Sequence, residues 1–447
     1  MNEKTLILAI GDVHLGTACS GIPSAISEQG VDPKELTPAA ALRSAVRLAI
    51  DRQVAAVLFA GDVVESANAR FEALAPLEES VRRLLEAGIE VVAVAGNHDV
   101  EALPRLANLI DGFKLLGAGG RWEEVMLPRA GAPQVQIVGW SFGEKRVRQS
   151  PVAQLLKEPP PSAAVPRIGL LHCDLGASGG HYAPVRQTEL DDANFDAWLL
   201  GHIHKPSLDT QGSRTRPRPC GYLGSLVGLD PSETGPHGPW LVEVSGDGGI
   251  KLEQVPLAPV RWETIEVSVG GIENIEDVCD RLLDEAKKFA QEMGRGGRMP
   301  AALGLRVKLT GSPTAYEDIR RWIEGRKWTL LAPRLVDDTV VVFFSKVSDA
   351  MELVLDMHAI ASGDDPAALL AKSLLLLSEE NDQSRGLLAS AREQLEAITG
   401  QDVWSPVAEH RNASDPLSDD ALRDVLLRSG KAALSAMTAS LAEREPQ

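Results

Sequence analysis

At 447 residues, with 44% hydrophobic and 24% charged residues, the chain is long enough for a large core plus one or two smaller units, in an ordinary soluble composition. No apolar run reaches the roughly 20 residues that a bilayer span needs. The apolar stretch at residues 6–10 is too short for a signal peptide and no small-residue cleavage site follows, so the expected location is cytoplasmic. The net charge of −18 argues against a freestanding, non-specific clamp on nucleic acid, because phosphate contacts normally come from dense Lys and Arg. The four cysteines (Cys19, Cys173, Cys220 and Cys279) lie far apart without a CxxC pair, which suggests neither a disulfide framework nor a zinc-thiolate site.

From residue 5 to about 245, short β-branched runs alternate with helical patterns. Strands are expected at 5–10, 54–60, 89–95, 135–138, 167–172, 197–200 and 240–244. Helices fit 39–51 and 70–87, where apolar residues recur at three- and four-residue spacing, and the second stops at Gly88. This alternation implies an α/β layered core, a sandwich of two sheets flanked by helices. The pattern changes after Pro256. Strands at 261–267, 303–309 and 340–344 enclose helices at 274–293 and 314–324, which describes a small α+β domain. From about 348 the chain reads as helical, with a strongly apolar segment at 367–377, a mixed-charge one at 383–398 and an amphipathic one at 418–442. The expected division is therefore 1–258, 259–347 and 348–447.

Five short motifs fall at the expected C-terminal ends of strands: Gly11-Asp12-Val13-His14, Gly61-Asp62, Gly96-Asn97-His98-Asp99, His172, and Gly201-His202-Ile203-His204. Four share one grammar, an apolar strand, then Gly, then a ligand-capable side chain. Glycine lets the strand turn sharply and puts the next side chain at the sheet rim, where ligands of open α/β sheets sit. Carboxylate and amide oxygens with imidazole nitrogens suit a pair of hard-to-borderline divalent cations such as Mn2+, Fe2+ or Zn2+. A lone His is more often structural, but five of the nine histidines lie inside these motifs, with two Asp and an Asn, and that reading does not explain them together.

The order and content of these motifs resemble the calcineurin-like metallophosphoesterase superfamily, whose signature is DxH, GDxx(D/E), GNH(D/E), a lone His and GHxH. The resemblance covers roughly the first 205 residues. It implies that Asp12, His14, Asp62 and His204 hold one metal, and that Asp62, Asn97, His172 and His202 hold the other, with Asp62 bridging. It also implies that His98 stays off the metals and protonates the leaving oxygen, with Asp99 orienting it. Such a site activates water and neutralises phosphate charge.

Finer features are similar to the SbcD-type DNA double-strand-break repair exonucleases. These are the Gly61–Ser66 block with Glu65 where Asp is commoner, Lys205-Pro206 after GHIH, the His181-Tyr182-Ala183-Pro184 stretch, and the segments Gly221-Tyr222-Leu223-Gly224-Ser225 and Glu233-Thr234-Gly235-Pro236. Leu223 departs from the pattern, since Pro is common there. The branch implies a Mn2+-dependent nuclease of DNA repair in which 1–258 is catalytic, 259–347 caps and positions DNA, and 348–447 docks on an SbcC-type ABC ATPase. Dimerisation is expected from the family. Lys205, Arg214, Arg216 and Arg218 are candidate DNA contacts because they follow the last motif, and Lys145, Arg146 and Arg148 form a second basic cluster. The alternative reading is a phosphodiesterase or phosphatase acting on small molecules or nucleotides, for which an extra domain of about 85 residues has no evident use.

Overall fold

The β-branched runs of the first half are apolar on both faces because both faces are covered. The computed structural model describes residues 4–65, 73–127, 134–159, 165–176, 179–208, 218–295, 298–352, 355–379, 381–399 and 418–442. In chain order its first part consists of β1 (Lys4–Ile10), α1 (Pro38–Asp51), β2 (Ala56–Ala60), α2 (Leu74–Glu86), β3 (Glu90–Val94), α3 (Ala102–Leu109), β4 (Phe113–Leu115), β5 (Trp122–Leu127) and β6 (Val135–Trp140). There follow α4 (Pro151–Lys157), β7 (Arg167–His172), β8 (Asp174–Leu175), β9 (Pro184–Val185), α5 (Gln187–Asp192), β10 (Ala197–Gly201), β11 (Cys220–Tyr222), β12 (Trp240–Ser245) and β13 (Ile250–Gln254).

Two sheets result, ordered β13-β12-β1-β2-β3-β4 and β11-β10-β7-β6-β5. In the first, β1 to β4 run parallel and β12 is antiparallel to both β1 and β13. In the second, β11, β10, β7 and β6 run parallel and β5 is antiparallel to β6. Side chains alternate across each strand. Ile7, Leu58 and Val92 join Ile137, Ile168 and Leu199 in the core between the sheets. Their neighbours Leu8, Phe59 and Val91 face the other way, onto Leu42 of α1 and Val81 and Leu84 of α2. On the second sheet's outer face Trp140, Leu171 and Leu200 pack with Val152 and Leu155 of α4. This four-layer α/β sandwich is the expected fold class. Thr37 caps α1 by accepting from Ala40 N at 3.3 Å, with Pro38 in the first turn.

The second half holds β14 (Val260–Ser268), α6 (Ile275–Arg295), β15 (Ala302–Thr310), α7 (Tyr316–Glu324), β16 (Arg334–Val336) and β17 (Val340–Asp349), with sheet order β14-β15-β17-β16. Trp262 of β14 is fully buried in the same core as Leu8 and Phe59, donates from Nε1 to Gly228 O at 2.9 Å and meets Phe343 edge-on. Gly304 keeps the neighbouring strand clear of it, since a Cβ there would lie 2.2 Å from the indole.

Two compact units divide the chain, one of 1–267, 279–308 and 323–348, the other of 268–278, 309–322 and 349–447. The second unit contains α8 (Met357–Ala361), α9 (Pro366–Ser378), α10 (Asp382–Thr399) and α11 (Asp419–Ala442), joined by a core of Ala371, Leu374, Leu377, Leu388, Leu422 and Leu434. Gly430 lets α11 approach α9, where a Cβ would come within 2.4 Å of Leu374. Among the described residues no helix is long and apolar enough to cross a membrane.

Candidate metal centre

The chain leaves β1, β2, β3, β7 and β10 at their C-terminal ends, and each exit carries one motif. The glycines at these exits serve close approach as much as turning. A Cβ at Gly96 would sit 2.1 Å from Asp62 Oδ1, one at Gly201 2.1 Å from Ala60 O, and one at Gly11 2.0 Å from Gly224 O. Only Gly61 of these four has a positive φ, +94°. Three candidate ligands are themselves left-handed, His14 (φ +53°), Asp62 (φ +47°) and His202 (φ +108°). Non-glycine residues adopt this region at a cost, so the surroundings hold them there.

The side chains converge. Asp12, His14 and His204 bring ligand atoms together, and so do Asp12, Asp62 and His172. His14 Nε2 and His204 Nε2 lie 3.0 Å apart. Each ring's Nδ1 faces a carboxylate, Glu65 at 3.4 Å for His14 and Glu233 at 2.7 Å for His204. With the hydrogen of each ring on Nδ1, the two Nε2 lone pairs aim at one another, an arrangement that a bound cation or a proton on one ring relieves. His172 repeats the pattern. Its Nδ1 donates to Ala60 O at 3.1 Å, while Nε2 meets Asn97 Oδ1 at 3.1 Å and Asp62 Oδ2 at 3.3 Å. With burial alone the His172 imidazole would titrate low, yet Asp62 and Asp12 carry it up to about 9. Burial acts to raise Asp62 as well, and His172 and His14 hold it below the usual carboxylate range. This crowd of buried acceptors, all oxygen and imidazole nitrogen with no thiolate among them, fits hard-to-borderline divalent cations. Asp12 and His172 are fully buried, Asp62 and His14 nearly so, and Asn97 is 9% exposed. His202 completes the group, its ring 5.2 Å from that of His172 and its backbone N donating to Asp12.

His98 differs from these. Its side chain is 46% exposed and its Nδ1 lies 3.0 Å from Glu65 Oε2. Glu65 is held down to about 2 by its contact with His14, against the effect of burial, and further by His98. Asp99 makes no hydrogen bond to the His98 ring. Its fully buried carboxylate accepts from Val63 N and Gly96 N at 2.7 Å each and from Val64 N at 3.4 Å, which ties the Gly61–Val64 turn to the Gly96–His98 turn. Burial and the neighbouring Asp62 push this carboxyl up to about 7. The carboxylate beside the His98 ring is thus Glu65. Reading the sequence placed Glu65 in a block and Glu233 in a segment without giving either a histidine partner.

Of the candidate DNA contacts, Lys205 is exposed one residue beyond His204. The Arg218 guanidinium donates to Asn194 Oδ1 at 2.7 Å and Phe195 O at 3.0 Å. Arg214 and Arg216 lie outside the described residues.

Residues 5–206 match the family model of the calcineurin-like phosphoesterases. The chain carries a calcineurin-like metallophosphoesterase domain, the fold of metal-dependent phosphoester hydrolases with a dinuclear metal site. Over 419 residues it is 26% identical to the DNA double-strand break repair protein Mre11 of Haloferax volcanii, spanning 92% of this chain and 85% of that protein. It is 27% identical over 311 residues to YhaO, an uncharacterized metallophosphoesterase of Bacillus subtilis, spanning 65% of this chain and 70% of YhaO. The Mre11 protein of Aeropyrum pernix is 27% identical over 290 residues, 62% of this chain and 67% of the relative.

Proposed function

We propose that this chain is a two-metal nuclease that hydrolyses phosphodiester bonds at DNA ends, with Mn2+ as its metal and an SbcC-type ABC ATPase as its partner in repair. The observation that supports DNA as substrate is the reach of the likeness to the Haloferax Mre11, which runs over 92% of the chain, far past the phosphoesterase domain. In this reading Asp12, His14, Asp62 and His204 would hold one cation, and Asp62, Asn97, His172 and His202 the other.

The cations, when bound, supply neutralisation of the phosphate charge and activation of water. The chain's own groups do the rest. Ala60 O and Glu233 fix the Nδ1–H tautomers of His172 and His204, so each presents Nε2 in a set orientation. His98, exposed and bound through Nδ1 to Glu65, keeps Nε2 for the substrate. A proton there passes to the departing alkoxide oxygen, and the Glu65 charge stabilises the imidazolium that donates it. Asp99 keeps the Asp62 and His98 turns in register rather than acting on the proton.

The test is Mn2+-dependent cleavage of end-labelled linear duplex and single-stranded DNA, beside the small diester bis(p-nitrophenyl) phosphate, by the wild type and His98→Ala. The expected result is metal-dependent DNA degradation that the variant loses by about 100-fold or more while still binding Mn2+. A wild type that cleaves the small diester and no DNA, with the partner ATPase present, contradicts the nuclease reading. Full activity of His98→Ala contradicts its role as the acid.

A further inference from the structure

Lys145 and Arg146, two of the three cations in the basic cluster after β6, have no part in the mechanism above, yet they lie at the catalytic hollow. A cavity of about 460 Å3 beside the metal centre is lined by Glu65, Asn97, His98 and Glu101 together with Lys145, Arg146 and Tyr182. The segment that carries the two cations is fixed at both ends by backbone hydrogen bonds. Phe142 N donates to Ala95 O at 3.0 Å, immediately before the Gly96–Asp99 motif. Val147 N donates to His181 O at 2.9 Å and Ala183 N to Val147 O at 2.8 Å. Residues 143–146 therefore bridge from the His98 turn to the His181–Ala183 segment, and the His-Tyr-Ala-Pro stretch singled out in the sequence is the far anchor.

Lys145 and Arg146 are exposed and, among the described residues, make no ion pair within 4 Å. By contrast Arg82, Lys114 and Arg186 are each paired with a carboxylate. Lys145 and Arg146 are thus available to an anion that enters the hollow, beside the carboxylates of Glu65 and Glu101. Guanidinium and ammonium groups bind phosphate oxygens, the former through a planar fork. In a polynucleotide the scissile phosphate has a neighbour one nucleotide away. An isolated diester or a monoester has none.

We propose that Lys145 and Arg146 form a subsite for the phosphate adjacent to the scissile one on a DNA strand, and that this subsite makes the hollow select polymers over isolated phosphoesters. The inference rests on the nuclease reading given above. The experiment compares wild type, the double variant Lys145→Ala/Arg146→Ala, and Arg148→Ala, whose charge is two residues on and outside the hollow. Each is assayed with Mn2+ on a single-stranded oligonucleotide and on bis(p-nitrophenyl) phosphate over a range of salt. The expected result for the double variant is a fall of about tenfold in the ratio of kcat/KM on oligonucleotide to that on the small diester. Its salt dependence on oligonucleotide should flatten by about 0.7 in log–log slope, the share of one phosphate contact on a single strand. Arg148→Ala should keep the wild-type ratio. An unchanged ratio in the double variant, or an equal fall in Arg148→Ala, overturns the subsite while leaving the nuclease reading intact. A wild type that degrades no oligonucleotide overturns both.

Discussion

The Glu233 carboxylate accepts a 2.7 Å hydrogen bond from His204 Nδ1, and its other oxygen accepts from Ser225 Oγ and Leu229 N. One side chain thus sets the tautomer of a candidate ligand and ties it to the 225–233 loop. Removing such an outer carboxylate typically costs 10–100-fold in metal affinity. Glu233→Ala is therefore expected to weaken Mn2+ binding by about that factor, and Glu233→Gln, which keeps an acceptor, by less. Calorimetric titration of the metal-free variants reads this directly, and an affinity equal to wild type in both would show that Glu233 only packs.

Asp99 predicts a different phenotype. Its buried carboxylate serves three backbone N–H groups on two turns, and an amide in its place would set NH2 against at least one of them. Asp99→Asn should destabilise the metal-free protein by about 2–3 kcal/mol, the cost of a buried unsatisfied group. A thermal melt without metal decides the matter. An unchanged Tm accompanied by lost activity would instead give Asp99 a part in the chemistry.

Gly96→Ala tests the close-approach argument, because its Cβ would lie 2.1 Å from Asp62 Oδ1. The Asp62 carboxylate would have to move, so the rise in Tm on adding Mn2+ should disappear. In the wild type a metal at 100 times its Kd would add about 2.7 kcal/mol. Gly386 of α10 has open space around it, and Gly386→Ala should stabilise that helix by up to about 1 kcal/mol with metal binding unaffected. Equal metal responses in the two variants would refute the steric explanation.

Docking of an ATPase on the helical region can be tested without deleting α11, whose Leu422 and Leu434 belong to that unit's own core. Leu369 and Val425 are apolar and 60% and 46% exposed. Leu369→Asp and Val425→Asp should abolish co-purification with the ATPase and spare Mn2+-dependent cleavage of the small diester. Retained association in the double variant would count against docking on these faces.

The central strands were legible because β1, β2, β3, β7 and β10 are short, aliphatic and buried on both faces, each closing on a motif. The edge strands were not. β5 (WEEVML) is mostly half-exposed and reads as neither period, while β4 and β11 are three residues each and take their conformation from the strand beside them. The metal-motif residues could be found because glycine and ligand are adjacent in sequence. The partners of the histidines could not, since His98 meets Glu65 across 33 positions and His204 meets Glu233 across 29, distances that only the fold closes. Arg218 stands out in the sequence only by its place near the last motif, and the fold adds that its guanidinium donates to Asn194 Oδ1 and the Phe195 carbonyl.

The left-handed backbone at His14, Asp62 and His202 bears on how this protein could age in evolution. Each conformation costs roughly 1–2 kcal/mol for a residue with a Cβ and almost nothing for glycine. Selection for hydrolysis is thus opposed, at those three positions, by selection for heat resistance. A lineage released from the catalytic task would relieve that strain with glycine at 14, 62 or 202, while losing the stability of about 2.7 kcal/mol that a metal at 100 times its Kd adds. Decay of the centre would exchange metal-linked stability for an easier backbone.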